Sequence, residues 1–175
     1  MMVSKIMLDN RLVESRSPAK TLEQVNNAIC KVNIVEMFVT VWLGVLELST
    51  GKITAANAGH ERPVIIHPDR EVEMIKDKHG FVVGGMEDMK YQDYELQLEP
   101  GAKLFLYTDG VPEATAADKE MFTTDRMMEA ADKLRAATPE ETFAGIRNAV
   151  DEFVDDAEQV DDLTMLCVEY KGSST

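Results

Sequence analysis

The chain has 175 residues, 45% of them hydrophobic and only 6% aromatic, which suits one domain with an aliphatic α/β interior and leaves little room for two. A formal net charge of −14, from 32 acidic and 18 basic residues with no basic patch, argues against nucleic acid and leaves a solvated acidic surface or carboxylates gathered around divalent cations. Cys30 and Cys167 share no motif with His60, His67 or His79, so neither a disulfide framework nor a zinc site is expected, and a cytoplasmic location follows.

In chain order, Val3, Ile6, Met7, Asn10 and Val13 keep helical spacing through Ser15, as if a helix were entered midway. Ser17-Pro18 supplies an N-cap and a first-turn proline for a second helix with Leu22, Val25, Ile29 and Val32 on one face. Met37 to Leu48 is apolar on both alternations and predicts a strand buried on both sides. It is too short an apolar run to span a bilayer, and the N-terminus lacks a signal-peptide pattern. Ser49-Thr50-Gly51-Lys52 predicts a hairpin returning along Ile53 to Ala58, and Pro63 to His67 with Glu71 to Lys76 predicts another. The stretch holding Gly80, Gly84 and Gly85 is expected to be a mobile loop that contacts substrate. Tyr94, Leu96 and Leu98 alternate as a strand, and Pro100-Gly101 turns into an apolar strand from Lys103 to Tyr107. Helices are predicted from about Thr124 to Arg135 and from Thr138-Pro139, where Glu141 completes a capping box and Phe143, Ile146, Val150 and Phe153 face inward. A last strand, Leu163 to Glu169, precedes a polar tail at 172–175.

Two acidic sites touch the ends of apolar strands: Tyr107-Thr108-Asp109-Gly110 and Val160-Asp161-Asp162-Leu163-Thr164. Carboxylates converging at a sheet end make a rigid, oxygen-rich pocket suited to Mg²⁺ or Mn²⁺. The plain alternative is that Asp109 starts a turn and Asp161 caps a strand. His60, closing Asn57-Ala58-Gly59-His60, is either a ligand or general acid or a hydrogen-bonded structural residue. His67 and His79 receive no role.

The ordered set Met37-Phe38-Val39-Thr40, Thr50-Gly51, Asn57-Ala58-Gly59-His60, Pro100-Gly101, Leu106 to Ala114 and Asp161-Asp162-Leu163-Thr164 resembles the stage II sporulation protein E branch of PPM-type metal-dependent serine/threonine phosphatases. The resemblance implies an α-β-β-α sandwich of two mainly antiparallel sheets flanked by helices, with residues 1–171 as a partial phosphatase domain. It implies two Mn²⁺ or Mg²⁺ ions in the intact domain. Asp109 and Asp161 are then metal ligands, and Asp162, Gly110, Glu113, His60, Asn57 and Gly59 support the site. Glu113 either buttresses the Asp109 turn or binds solvent near a metal, or is an ordinary surface glutamate. The attacking group is a metal-bound water, with no side-chain nucleophile. The implied substrate is a phosphoserine or phosphothreonine on a regulatory protein of the STAS type.

Relatives of this branch carry an upstream Gly-Gly-Asp-x-x-Asp-like strand that supplies a further aspartate, and no such motif is present here. The chain is therefore expected to lack the first strands of the fold and to follow a sensor, receiver or membrane-anchored module in a longer protein. Two aspartates cannot balance two divalent cations, so metal binding is expected to be weak or absent and the piece inactive by itself. Exposed sheet edges would favour a homodimer. The alternative function is a noncatalytic regulatory or dimerising domain on a degenerate phosphatase fold.

Overall fold

The computed structural model describes residues 17–31, 37–155 and 162–173. Its elements are α1 (Pro18–Cys30), β1 (Val41–Glu47), β2 (Lys52–Ala58), β3 (Val64–Ile66), β4 (Glu73–Met74), β5 (Tyr94–Gln97), β6 (Lys103–Tyr107), α2 (Thr123–Lys133), α3 (Pro139–Val154) and β7 (Met165–Glu169). The strands form two antiparallel sheets, β1-β2-β5 and β4-β3-β6-β7. The chain divides into two compact units, 1–60 with 76–97 and 61–75 with 98–175, each holding one sheet. No described helix is long and apolar enough to cross a membrane. The helix expected before Ser15 lies outside the described residues.

In the first unit, the Ser17 hydroxyl accepts the Lys20 N–H at 3.2 Å, as the sequence predicts. Asp93 adds a second cap from 74 residues away, its Oδ1 accepting the Ala19 N–H at 2.7 Å. A carboxylate there also complements the positive end of the helix. Ala19, Leu22 and Val25 then pack with Ala56 and Ala58 of β2, Val83 and Tyr91. Strand β1 departs from expectation, because it is a sheet edge with no second strand beside it among the described residues. Its surroundings are accordingly open: Leu48 is 72% exposed, Met37 and Phe38 are each 63% exposed, and β1 itself is only partly covered.

The glycine-rich stretch is also not the loose loop expected. Val83 exchanges both backbone hydrogen bonds with Val39 at 2.9 Å, Gly80 donates to Asn57 O at 2.8 Å, and Gly84 donates to Asn26 Oδ1 at 2.8 Å. Composition flagged the glycines but not these distant partners. The stretch therefore follows a fixed path.

The second unit is built on a larger apolar core. Val64 and Ile66 of β3, Phe105 and Tyr107 of β6, Val111, Phe122, Met127, Ala131, Ile146 and Val150 form one cluster. Helix α3 starts at the predicted capping box, with Thr138 Oγ1 accepting from Glu141 N–H and Glu141 Oε2 accepting from Thr138 N–H. Of its expected inward stripe, Ile146 and Val150 are buried and Phe153 packs against the core, but Phe143 is exposed and Thr142 is buried instead. Strand β4 is only two residues long, and β5 belongs to the other sheet from β6, so Pro100-Gly101 does not close a hairpin between them. Lys103 is fully buried, and its ammonium donates to the carbonyls of Leu134, Arg135 and Ala137, which follow α2. Three acceptors offset the desolvation of that charge.

Candidate functional site

Asp109 sits just beyond β6, whose buried Phe105 and Tyr107 rings stack at 5.8 Å and fix the strand in the core. Burial, with Glu61 adding and Arg62 opposing, pushes the Tyr107 phenol up to about 12, so it stays protonated. Past Tyr107 the chain is tied to the start of β7. Thr108 N–H donates to Thr164 O at 3.0 Å, Thr164 N–H donates to Thr108 Oγ1 at 3.1 Å, and the Thr108 hydroxyl donates to Asp162 O at 3.2 Å. A Cβ on Gly110 would stand 2.6 Å from Asp162 O, so glycine is what lets the two segments approach.

The turn that follows is self-consistent. Gly110 N–H donates to Asp109 Oδ1 at 3.0 Å, Val111 N–H to Thr108 O at 3.0 Å, and Glu113 N–H to Asp109 O at 3.0 Å. Asp109, Glu113 and Asp162 are all exposed. Glu113 thus joins the Asp109 turn through its backbone N–H, while its carboxylate is exposed. Asp161, the second expected ligand, lies outside the described residues, and so does its approach to Asp109.

Carboxylate oxygens suit Mg²⁺ or Mn²⁺ in donor type. In number the described residues fall short, since no three of their His, Cys, Asp or Glu side chains form a metal-holding group.

Asn57, Gly59 and His60 belong to the first unit, where β2 ends in a tight turn. Gly59 has φ +74°, a left-handed conformation in which a side chain would be strained. Asn57 spans the turn: its Oδ1 accepts His60 N–H at 2.8 Å and its Nδ2 donates to His60 O at 2.9 Å. The same Nδ2 donates to Asp77 Oδ2 at 2.8 Å. His60 Nδ1 lies 3.3 Å from Thr40 Oγ1.

The structure therefore brings Asp109, Gly110 and Asp162 together in one unit and Asn57, Gly59 and His60 together in the other. Sequence reasoning missed Asp77, Tyr94 and Trp42, which surround Asn57: Trp42 Nε1–H donates to Tyr94 Oη at 2.6 Å, and Tyr94 O–H donates to Asp77 Oδ2 at 3.2 Å. No local motif marks them. The one available hint was the register of the predicted β1–β2 hairpin, which pairs Trp42 with Asn57.

Comparison with known proteins gives a family-model match to stage II sporulation protein E (SpoIIE) over residues 1–171. The chain is 34% identical over 132 residues to Protein IcfG of Synechocystis sp., covering 75% of this chain and 20% of that protein. It is 25% identical over 113 residues to the phosphoserine phosphatase RsbU of Bacillus subtilis, covering 65% of this chain and 34% of that one. It thus spans about a fifth and a third of the length of these curated relatives. Among solved structures, the Mn-presoaked phosphatase domain of SpoIIE from Bacillus subtilis superposes with a TM-score of 0.70 at 17% identity, over 98% of this chain and 75% of that one. The two antiparallel sheets and their helices are thus arranged in the fold of these phosphatase domains, as the sequence led us to expect.

Proposed function

We propose, because the chain belongs to the stage II sporulation protein E (SpoIIE) family, that it is the greater part of a metal-dependent domain that hydrolyses phosphoserine or phosphothreonine on a regulatory protein. Its relatedness to PP2C-type protein serine phosphatases is established by the family match and by RsbU. The observation that carries the reading is the threonine and glycine lock joining the Asp109 turn to the Asp162–Thr164 segment. It fixes one carboxylate-bearing backbone against the other, as a hydrolytic metal centre requires.

In this reading Asp109 and Asp161 hold the cations and Asp162 supports them. When bound, the two cations activate water and offset charge on the phosphoryl group. The chain's own residues do the positioning. Gly110 allows the close approach, Thr108 bridges the two segments and Glu113 closes the turn through its backbone, and the resemblance gives the Asn57-Gly59-His60 turn a supporting role. Neither cysteine is suited to act as a nucleophile: burial pushes the Cys167 thiol up to about 11, and burial and then Glu87 raise that of Cys30.

Two aspartates balance only half the charge of two divalent cations, and the sequence contains no Gly-Gly-Asp motif. We place the remaining carboxylate in a longer chain and expect these residues alone to be inactive. The substrate class we favour is a phosphorylated STAS-type regulator in the cytoplasm, with sensor or receiver modules in the longer chain. The resemblance supports this.

The test is hydrolysis of p-nitrophenyl phosphate and a phosphopeptide with added Mn²⁺, on this chain and on a longer one. In the longer chain, Asp109→Asn and Asp161→Asn should each lower kcat at least ~100-fold with the fold retained, because each removes a ligand charge at nearly constant volume. Asp162→Asn should be milder. An Asp109→Asn variant as active as its parent would overturn the assignment, and full activity of this chain alone would overturn its need for a further carboxylate.

A further inference from the structure

We infer that Asp77 is a positioning residue of the Asn57–His60 turn: its buried carboxylate adds a third hydrogen bond to the two that the His60 backbone makes with the Asn57 amide, and so holds that amide and the backbone of His60 in one arrangement. The reaction it serves is the one proposed above, and the inference rests on that reading for its effect on turnover. Its geometry lies wholly within the first unit.

The Asp77 side chain is 0% exposed. Its Oδ2 accepts from Asn57 Nδ2 at 2.8 Å and from the Tyr94 hydroxyl at 3.2 Å, and its Oδ1 lies 3.0 Å from His79 Nε2. Asp77 Oδ2 accepts from both groups, so the nitrogen of the Asn57 amide faces it and the oxygen faces away. That orientation sends the second amide N–H to His60 O and turns the amide oxygen to His60 N–H. A flipped amide would set oxygen against Asp77 and His60 O, and nitrogen against His60 N–H. Three hydrogen bonds would be lost at once.

The donor side of the carboxylate is equally fixed. Burial, with a further contribution from Asp77, holds the Tyr94 phenol well above its ordinary value despite the opposing hydrogen bond from Trp42, so Tyr94 keeps its proton and donates. Trp42 Nε1–H occupies the phenol oxygen from the other side. The segment carrying Asp77 is itself held on the turn, since Gly80 N–H donates to Asn57 O at 2.8 Å. A Cβ on Gly80 would come within 2.5 Å of the Tyr91 ring and 2.9 Å of Asn57 O. Burying a carboxylate opposes stability unless it is fully bonded, and an apolar side chain would fill the same space at less cost. What the carboxylate supplies and a leucine cannot is the third bond, which ties the Asn57 amide and its turn to the 77–80 segment.

The experiment uses the longer, Mn²⁺-loaded protein. It measures kcat and KM for p-nitrophenyl phosphate in Asp77→Ala, Asp77→Asn, Asn57→Ala and the Asp77→Ala/Asn57→Ala double variant, together with the Asn57 side-chain amide resonances by NMR. Asp77→Ala should lower kcat at least ~10-fold with KM unchanged, since small misplacements at a site cost rate rather than binding. Asp77→Asn should restore most of it, because its carbonyl can still accept from Asn57 and Tyr94. Because the two residues act in series, the double variant should lose no more than Asn57→Ala alone. A folded Asp77→Ala with the parent's kcat, or losses that multiply in the double variant, would overturn the proposal. If Asp77→Ala does not fold, Asn57→Asp sets acceptor against acceptor at the same contact. Its kcat should fall and be partly restored by adding Asp77→Asn, and no restoration overturns the proposal. If the parent shows no metal-dependent hydrolysis, it is the phosphatase reading that fails. The NMR arm then decides alone, and Asn57 amide resonances unmoved by Asp77→Ala would overturn the positioning role.

Discussion

The first unit is joined by polar side chains that reach far along the sequence, and the second by a continuous apolar cluster. In the first, Asn26, Asn57, Asp77 and Asp93 each bond groups 20 or more residues away, around a small core in which alanines from α1 and β2 meet. In the second, Phe105, Tyr107, Phe122, Met127, Ile146 and Val150 provide bulk, and polar groups act at helix ends, where Lys103 meets the carbonyls beyond α2 and Glu141 caps α3, and at the Thr108 bridge to Asp162 and Thr164. The two kinds of cohesion carry different information. Apolar bulk is non-directional and sets where elements lie. Buried hydrogen bonds fix orientation, and their loss is costly because a partner is left without one.

The comparison is tested most strongly by removing one residue of each kind. Phe105→Ala should destabilise the second unit by about 3–5 kcal/mol, the range for emptying a buried aromatic site, read from the urea midpoint. Asn26→Ala should cost the first unit about 2–4 kcal/mol, because the amide accepts from Gly84 N–H and donates to Met86 O, each at 2.8 Å. Asn26→Leu keeps bulk without the bonds and decides between the two kinds of cohesion. If the first unit depends on orientation, the leucine variant should be as unstable as the alanine one, with faster amide exchange at Gly84. A leucine variant as stable as the parent would show that packing alone holds both units.

The same contrast explains what could be read from the sequence. Helical periodicity, apolar runs and alternations, and the turn signals between them located every strand and helix of the described residues, because they report which faces are apolar and where the chain reverses. Thr138 with Glu141 and Ser17 with Pro18 were legible as caps, since those contacts span only a few residues. Phe143 was misread as inward because it stands three residues before Ile146, a helical spacing that the buried Thr142, four before it, satisfies equally. At the site, the Asp109-Gly110 turn and the residues before β7 were visible as a motif. The Thr108 bridge and the need for glycine at 110 became clear only in three dimensions, because they depend on the register of β6 with β7. Asp77 left no trace at all. Asn57 and Tyr94 lie 20 and 17 residues from it, and although His79 is close in sequence, nothing in a local pattern distinguishes a buried carboxylate from an exposed one.

The smallest effect expected is at the α3 cap, where the second unit relies on an oriented polar pair as the first unit does throughout. Glu141 Oε2 accepts the Thr138 N–H at 2.9 Å, and the bonds with Thr138 hold the Glu141 carboxyl below its ordinary 4.5, outweighing a slight opposing effect of burial. A carboxyl whose folded value is depressed adds stability that is present above its unfolded value and is lost as pH falls through the folded one. Glu141→Gln keeps an acceptor in the same place but removes the charge. Its deficit in urea midpoint relative to the parent should therefore be present near neutral pH and shrink toward zero as the pH falls through the depressed folded value. Thr138→Ala removes the Oγ1 acceptor of the Glu141 N–H and should cost about 1 kcal/mol at neutral pH. A glutamine deficit that stayed constant through the acid range would mean that the charge plays no part in the cap. The hydrogen bond alone would then carry it, and the polar orientation seen at Asn26 and Asn57 would have an uncharged counterpart in the second unit.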